Sequence, residues 1–174
     1  MRGRMAGELL CDYYNLKFGV DTRGVRLPGL ISYVAPPGGG TTDYAVEIYH
    51  EALRKGQYTS YIAQGTYMDM MYMPDAVDAI IKLMEADPTR LIHRNAYNVT
   101  AISAQPEDFA AEIRKHIPAF KMDYKVDPVR QAIADSWPNS IDPTAALEEW
   151  GFASKYDLEK LTSDMLEKLG DLSI

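Results

Sequence analysis

The sequence lacks the features that mark several classes of protein. It has one cysteine and three histidines in 174 residues, so it forms no internal disulfide, and no His/Cys cluster has the spacing of a zinc site. No apolar run is long enough to cross a membrane, and Glu8 and Asp12 interrupt the apolar stretch that a signal peptide needs. We therefore expect a cytoplasmic protein with no metal site and no membrane partner.

Positive charge is scarce as well. The 18 lysines and arginines stand against 25 acidic residues, which gives a net charge of −7. An acidic chain without a basic stripe repels phosphate backbones, so nucleic acid is not an expected partner. The sequence also contains neither G-x-G-x-x-G nor a P-loop, the glycine-rich turns that hold dinucleotides and triphosphates.

Strand and helix patterns alternate along the chain, and this alternation predicts an α/β fold. Helical spacing runs from Met5 to Leu16 with no strand or cap before it, which suggests that an upstream segment is missing. The apolar run Val25–Val34 predicts a strand that Pro28 interrupts. Asp127 and Asp142 each precede a proline and predict helix starts.

Several amphipathic segments allow the buried face to be predicted. One helix follows the glycine-rich loop, and its predicted buried face is Ala45, Ile48, Tyr49, Ala52 and Leu53. The predicted buried face of the next helix is Val77, Ile80, Ile81 and Met84. The later helical stripes are Phe109, Ile113 and Ile117, and then Leu158, Leu161, Met165 and Leu169. The methionines Met68, Met70, Met71 and Met73 are interpreted as core residues.

The loop APPGGGTTD is the most informative segment for function. Its glycines let the backbone approach a ligand closely, and Thr41, Thr42 and Asp43 stand where a helix exposes unpaired N–H groups. A carboxylate or phosphate would bind there, and Asp43 would accept from an ammonium group. The plainer alternative, which the pattern alone favours, is a flexible loop ended by a Thr or Asp helix cap.

Other candidate residues are few. Trp137 lies in the turn-rich segment DSWPNSID, where an aromatic ring can cover a ligand, although tertiary packing is the more common reason for such a residue. The histidines are dispersed, and no Ser-His-acid arrangement follows from their spacing.

Four segments, in order, resemble the carboxyl-terminal half of the NAD-dependent L-threonine 3-dehydrogenases, which are extended short-chain dehydrogenase/reductases similar to nucleotide-sugar epimerases. These segments are VRLPGLISYVAPPGGGTTDYAVEIYH, MMYMPDAVDAI, AYNVTAIS and IADSWPNSIDPTAALEEWGF. The resemblance implies that residues 1–174 are a single carboxyl-terminal fragment. Residues 1–34 would be the remnant of a Rossmann-like dinucleotide-binding domain. Residues from about 35 to 174 would be mainly a small mixed α/β substrate lobe with one returning Rossmann strand-helix unit.

The resemblance also bears on catalysis. The family's Tyr-x-x-x-Lys motif precedes Ala-Gly-Glu, so the alignment places Arg4 at the lysine position and the tyrosine one residue before Met1. The tyrosinate is the general base, and the lysine lowers its pKa, which the planar arginine fork does not do in the same way. Because the tyrosine and the nucleotide loop are absent from the sequence, we expect the chain to be inactive alone.

The remaining site residues also follow from the resemblance. It assigns NAD contacts near the nicotinamide to Pro28, Gly29, Leu30 and Ile31. It assigns the substrate loop to Thr41, Thr42 and Asp43, and it places Trp137 near a closing lid. In a complete enzyme these residues would position L-threonine, or a similar small amino acid, for oxidation to 2-amino-3-ketobutyrate with NAD as hydride acceptor.

Two alternative functions remain open. The first is an interaction fragment without catalysis, because a Val25–Ser32 strand without sheet neighbours would recruit a second copy, giving a homo-oligomer, or a separate amino-terminal half. The second is a relative of the nucleotide-sugar epimerases and dehydratases. The GGGTTDY loop favours an amino acid over a nucleotide sugar.

Overall fold

The computed structural model describes residues 2–171, with side chains from Met5 onward. Its helices are α1 (Arg2–Phe18), α2 (Tyr44–Lys55), α3 (Met73–Glu85), α4 (Pro106–His116), α5 (Pro128–Asp135), α6 (Thr144–Trp150) and α7 (Leu158–Asp171), with a 3-10 helix at Thr41–Asp43. Its strands are β1 (Val25–Arg26), β2 (Gly29–Ile31), β3 (Gln57–Ser60), β4 (Met68–Tyr72), β5 (Tyr97–Asn98), β6 (Ile102–Ala104) and β7 (Lys121–Tyr124).

Short parallel pairings dominate the strand arrangement. β1 pairs with β5, β2 with β4 and β3 with β7, all in parallel, whereas β6 joins β4 antiparallel to form a three-stranded sheet. Helices connect these strands, as parallel pairing requires. The α/β prediction is confirmed, although the short strand β6 was not foreseen.

Pro28 divides the predicted Val25–Val34 strand into two. β1 ends at Arg26 and β2 begins at Gly29, and the two strands belong to different sheets. A proline lacks the N–H that would continue a ladder, so a break at this position is the expected outcome. The chain therefore leaves one sheet and enters the next within two residues.

The three-stranded sheet of β2, β4 and β6 separates two apolar cores. Met70 belongs to the core formed with α2, α4 and α7, while its neighbour Met71 belongs to the core of α3 and α6. Successive residues of a strand point to opposite faces, so β4 contributes one methionine to each side. Met68, Met70 and Met71 are buried as predicted.

The predicted face of α2 is largely confirmed. Ala45, Ile48, Tyr49 and Ala52 are buried against α4 and α7, and the Tyr49 hydroxyl lies 2.8 Å from the Thr162 hydroxyl. The prediction is wrong for Leu53, which lies at the edge of the stripe and is exposed. Phe109 and Ile113 of α4, and Leu161, Met165 and Leu169 of α7, are buried as expected.

The predicted face of α3 is wrong. Val77, Ile80, Ile81 and Met84 are all exposed, and the helix instead packs Ala76, Ala79 and Leu83 into the second core. Two contacts fix this rotation. The buried Asp75 carboxylate accepts the backbone N–H groups of Lys155 and Tyr156, and the small alanines let the helix lie close to the sheet. The more apolar face is left without a cover among residues 2–171.

Helix α1 carries a second exposed apolar surface. It is attached to the rest of the chain by polar contacts, among them Arg26 to Glu8 and Asn95 Nδ2 to Asp12 at 2.6 Å. Its exposed apolar side chains are Met5, Leu9, Leu10, Tyr13, Tyr14, Leu16 and Phe18. Within the described residues, no helix combines the length and apolarity needed to span a membrane.

Two aspartates mark helix starts. Asp127 is the N-cap of α5, and its carboxylate accepts the N–H groups of Val129 and Arg130, as predicted. The helix predicted after Asp142 begins one residue later than expected, at Thr144, whose N–H lies 2.9 Å from the Asp142 carboxylate.

Candidate functional site

A cleft of about 520 Å³ lies where β2, the 3-10 helix, β4 and the turn after α5 meet. Four separate segments of the sequence contribute to its wall. The lining residues are Leu27, Pro28, Gly29, Leu30, Thr42, Met68, Asp69, Trp137, Pro138 and Ile141. Five residues singled out from the sequence therefore lie at one cleft, namely Pro28, Gly29, Leu30, Thr42 and Trp137.

Gly29 is required by close packing at the start of β2. A Cβ atom at this position would lie 2.5 Å from Met70 Sδ and 2.9 Å from Thr42 Cγ2, well inside van der Waals contact. The absence of a side chain therefore lets β2 approach both the neighbouring strand and the 3-10 helix. This close approach places Thr42 beside the Pro28–Leu30 segment.

The glycine-rich loop is held by its own side chains. Asp43 Oδ2 accepts the N–H groups of Gly38 and Gly40 at 2.6 and 2.8 Å. The Tyr61 hydroxyl donates to the Gly40 carbonyl at 3.1 Å, and the Arg130 guanidinium lies 4.1 Å from the centre of the Tyr61 ring. The loop thus has fixed contacts on both sides.

Three of the predicted site residues lie away from the cleft. The Asp43 carboxylate is engaged by the loop, Thr41 is buried beneath it, and Ile31 is fully buried in the first core opposite Tyr72 of β4. The backbone of Arg4 belongs to α1, whereas its side chain lies outside the described residues. The roles assigned to these four residues remain predictions.

Trp137 both packs in the tertiary structure and lines the cleft, so the two interpretations of this residue from the sequence hold together. Its backbone N–H donates to the Ala134 carbonyl at 3.0 Å, which places the residue in the turn that ends α5. The ring packs against the first core and also lines the cleft. Packing therefore holds an aromatic wall in place beside a ligand-sized space.

Asp69 is the site residue that sequence reasoning missed. It lies in β4, is 8% exposed, and its Oδ1 accepts the Thr100 hydroxyl at 2.9 Å. Among the described residues, Oδ2 is buried and accepts no hydrogen bond of normal geometry. Burial raises the pKa of Asp69, and this outweighs the lowering by the Thr100 hydroxyl and by the Ile141 amide, which lies near the carboxylate without forming a well-aligned hydrogen bond to it. The sequence held a signal, since an acidic residue inside the apolar run MDMMY is unusual.

A second cleft, of about 850 Å³, opens between α1 and β1. Leu27, Pro28 and Leu30 line both clefts, so this segment forms a wall that they share. The β1 edge that does not pair with β5 has no strand partner among residues 2–171. A strand from another polypeptide segment would fit there.

One element that a dinucleotide site needs is missing from the sequence. The Pro28–Leu30 wall is apolar and its backbone is closely packed, which suits contact with a flat ring. No glycine-rich turn between a strand and a helix is present in the sequence to hold a pyrophosphate. Among residues 5–171, no group of three or more metal-ligating side chains clusters together.

Comparison with known proteins gives a consistent picture. The chain matches no protein-family profile. It is 67% identical over 166 residues to an uncharacterized epimerase/dehydratase of Staphylococcus haemolyticus, a match that covers 95% of this chain and 52% of the relative. The chain therefore spans about half the length of the curated relatives it matches.

Solved structures extend the comparison. The L-threonine dehydrogenase of Clostridium difficile is 65% identical, with a TM-score of 0.96 over 98% of this chain and 54% of that one. The L-threonine dehydrogenase of Phytophthora infestans is 48% identical, with a TM-score of 0.91 over 96% and 53%. Together with the residues gathered at the cleft, these likenesses show that the chain is similar to about half the length of the L-threonine dehydrogenases, and the match is consistent with their carboxyl-terminal portion.

Proposed function

We propose that this chain is the substrate-side half of an NAD-dependent L-threonine 3-dehydrogenase. The observation that carries the proposal is the convergence of Pro28, Gly29, Leu30, Thr42 and Trp137 on one cleft. These residues come from three separate parts of the sequence, and the family resemblance assigns each of them to the cofactor, the substrate or the lid. A shared cleft is what a common ligand requires.

Each wall of the cleft has a distinct role in this function. The Thr42 hydroxyl donates to the carboxylate of the amino acid, and Trp137 covers the ligand and excludes water. The Pro28–Leu30 wall would contact the nicotinamide of bound NAD. Bound NAD supplies the hydride acceptor for oxidation of the threonine hydroxyl to a ketone. The walls hold the β-carbon of the substrate towards that acceptor.

The general base of this family matches a position outside residues 1–174. A tyrosinate takes the hydroxyl proton in this family, and the matching position lies one residue before Met1. Arg4, at the lysine position, is a poor substitute for an ammonium beside a tyrosinate. We therefore expect the chain to bind and position substrate without turning it over.

An amino-terminal, nucleotide-binding half is the proposed partner. The open edge of β1 and the exposed faces of α1 and α3 are the surfaces that it would cover. Contiguous exposed apolar side chains of this kind mark interaction surfaces. Complementation would supply both the base and the phosphate-binding turn.

The test is NADH formation, followed at 340 nm with L-threonine and NAD. The chain is assayed alone and then mixed with the amino-terminal half of the Clostridium difficile enzyme, produced as a separate polypeptide. We expect no NADH from either half alone and a measurable rate from the mixture. Turnover by the chain alone would contradict the assignment of the base, and an inactive mixture would contradict complementation.

Self-association is a second candidate function, and the exposed face of α3 favours it. A second copy would cover Ile80, Ile81 and Met84 as well as an amino-terminal half would. Sedimentation velocity over a range of concentrations separates the two. A chain that is monomeric at the highest concentration would exclude self-association. A dimer that dissociates when the amino-terminal half is added would show that a second copy and the amino-terminal half compete for one surface.

A further inference from the structure

We propose that Asp69 binds the ammonium group of the amino acid in the cleft and thereby selects amino acids over the corresponding hydroxy acids. This inference rests on the proposed function and deepens it, because it names the residue that recognises one group of the substrate. It concerns a residue for which neither the sequence motifs nor the family resemblance gives a role.

The two oxygens of Asp69 have different surroundings. Oδ1 is fixed by the Thr100 hydroxyl at 2.9 Å, whereas Oδ2 is buried and accepts no hydrogen bond of normal geometry from the described residues, although the Ile141 amide lies near the carboxylate. A buried carboxylate oxygen without a donor is costly, and nearly all such atoms in folded proteins are paired. A donor brought by a ligand would satisfy Oδ2 at the wall of the cleft.

The charge of the cleft specifies what kind of donor fits. Asp69 is the single charged residue among the ten described residues that line it, and no lysine, arginine or histidine between residues 5 and 171 belongs to the lining. A cationic donor therefore has an unopposed negative partner, and hydrogen bonds between ionised groups are the stronger kind. An ammonium group supplies both the positive charge and the N–H donors.

The remaining lining suits the rest of an amino acid. Trp137 adds an aromatic ring, to which cations are attracted. Thr42, contributed by the 3-10 helix, supplies a hydroxyl donor for a carboxylate. The cleft thus offers an acceptor for one end of a zwitterion and a donor for the other.

The test compares two ligands that differ only in the amino group. Binding of L-threonine and of 3-hydroxybutanoate with the same configuration at C3 is measured by calorimetry on the full chain and on Asp69→Asn. The wild-type chain is expected to prefer L-threonine by about tenfold or more, as for a charge-assisted hydrogen bond. In Asp69→Asn the affinity for L-threonine is expected to fall about tenfold, with that for 3-hydroxybutanoate unchanged.

Asp123→Asn provides the matched control, because Asp123 is an exposed strand aspartate outside the cleft. It is expected to bind both ligands as the wild type does. Equal affinity of the wild-type chain for the two ligands would overturn the inference whether or not Asp69→Asn folds.

A preference for L-threonine that persists in Asp69→Asn would also overturn the inference, and it would leave the proposed function standing. A wild-type chain that binds neither ligand would overturn both.

Discussion

Helices α2 and α3 have similar apolar patterns and opposite surroundings. Ile48 on α2 has no exposed surface, whereas Ile80 on α3 is 40% exposed and Met84 is 70% exposed. Both stripes were expected to face a core. The comparison teaches that periodicity identifies the face of a helix that gains from burial but does not identify what covers it.

The difference lies in what the chain contains. α4 and α7, which cover α2, follow later in the same polypeptide. Among residues 2–171, the outer face of α3 has no such cover, and the relatives that the chain matches are about twice as long. An apolar face that is buried by another polypeptide segment looks, in the sequence, like a face that is buried by its own chain.

The largest effect is expected from paired truncations of the two helices. Ile48→Ala should lower the free energy of unfolding by about 3–4 kcal/mol, because it leaves a cavity in a closed core. Ile80→Ala should lower it by about 1 kcal/mol or less, since this side chain is already partly in water. Urea unfolding of both variants measures the difference. Equal losses would mean that α3 is covered in solution.

A somewhat smaller effect is expected where the two regions meet, at Gly29. Gly29→Ala should lower the free energy of unfolding by about 2–3 kcal/mol, because the new Cβ would collide with Met70 Sδ and Thr42 Cγ2. Thermal unfolding against Gly7→Ala checks this, since a Cβ at Gly7 meets nothing within 4 Å and alanine favours its helix. A destabilised Gly7→Ala together with an unaffected Gly29→Ala would contradict the packing described for β2.

The α3 side of the molecule depends on a buried carboxylate. Burial alone would raise the pKa of Glu149, but hydrogen bonds from Tyr97, from His93 and from the Ile92 amide outweigh it and lower the pKa to about 2. A lowered pKa in the folded state stabilises the protein above the unfolded value of 4.5, and this stabilisation is lost as the pH falls towards 2.

Glu149→Gln should therefore lower the free energy of unfolding by about 2 kcal/mol at pH 6, and the difference from the wild type should shrink below about pH 4.5. Denaturant unfolding at a series of pH values tests this. A difference that is constant from pH 6 to pH 2 would show that the charge of Glu149 is not the cause.

The smallest effect on stability is expected on the outer face of α3. Replacing Ile80 and Ile81 by glutamate should change the free energy of unfolding by less than about 1 kcal/mol, because both side chains are partly in water. The same double variant should weaken binding of an amino-terminal half, or of a second copy, by tenfold or more. Sedimentation of the wild type and the variant, each alone and mixed with the amino-terminal half, measures this association. Undiminished association of the variant would show that α3 is not part of the interface.

Much of the architecture could be predicted because local signals agree with tertiary packing. Pro28 divides the strand, Asp127 caps its helix, and the stripes of α4 and α7 face a core, as their sequences indicate. Rotation of α3 could not be predicted, since it is set by Asp75 holding the backbone of Lys155 and Tyr156, far along the chain.

The candidate site was predicted in part for a related reason. Residues that carry a motif, such as Thr42 and Trp137, were found. Asp69 was not, because its significance depends on burial and on an unpartnered oxygen, which only the assembled strand β4 reveals. Asp43 belongs to the motif, but its carboxylate accepts hydrogen bonds from the amides of Gly38 and Gly40.

The parallel strand pairs have a consequence for how the molecule forms. Val25 of β1 pairs with Tyr97, and Gln57 of β3 pairs with Lys121. Neither strand therefore has its partner until a long stretch of chain has been synthesised. Closing such large loops precedes any gain from the contacts, which makes folding slow in comparison with a helical bundle. During that interval the apolar faces of α1 and α3 are exposed together with the unpaired strands. The chain is therefore most exposed to wrong association before its own sheets close.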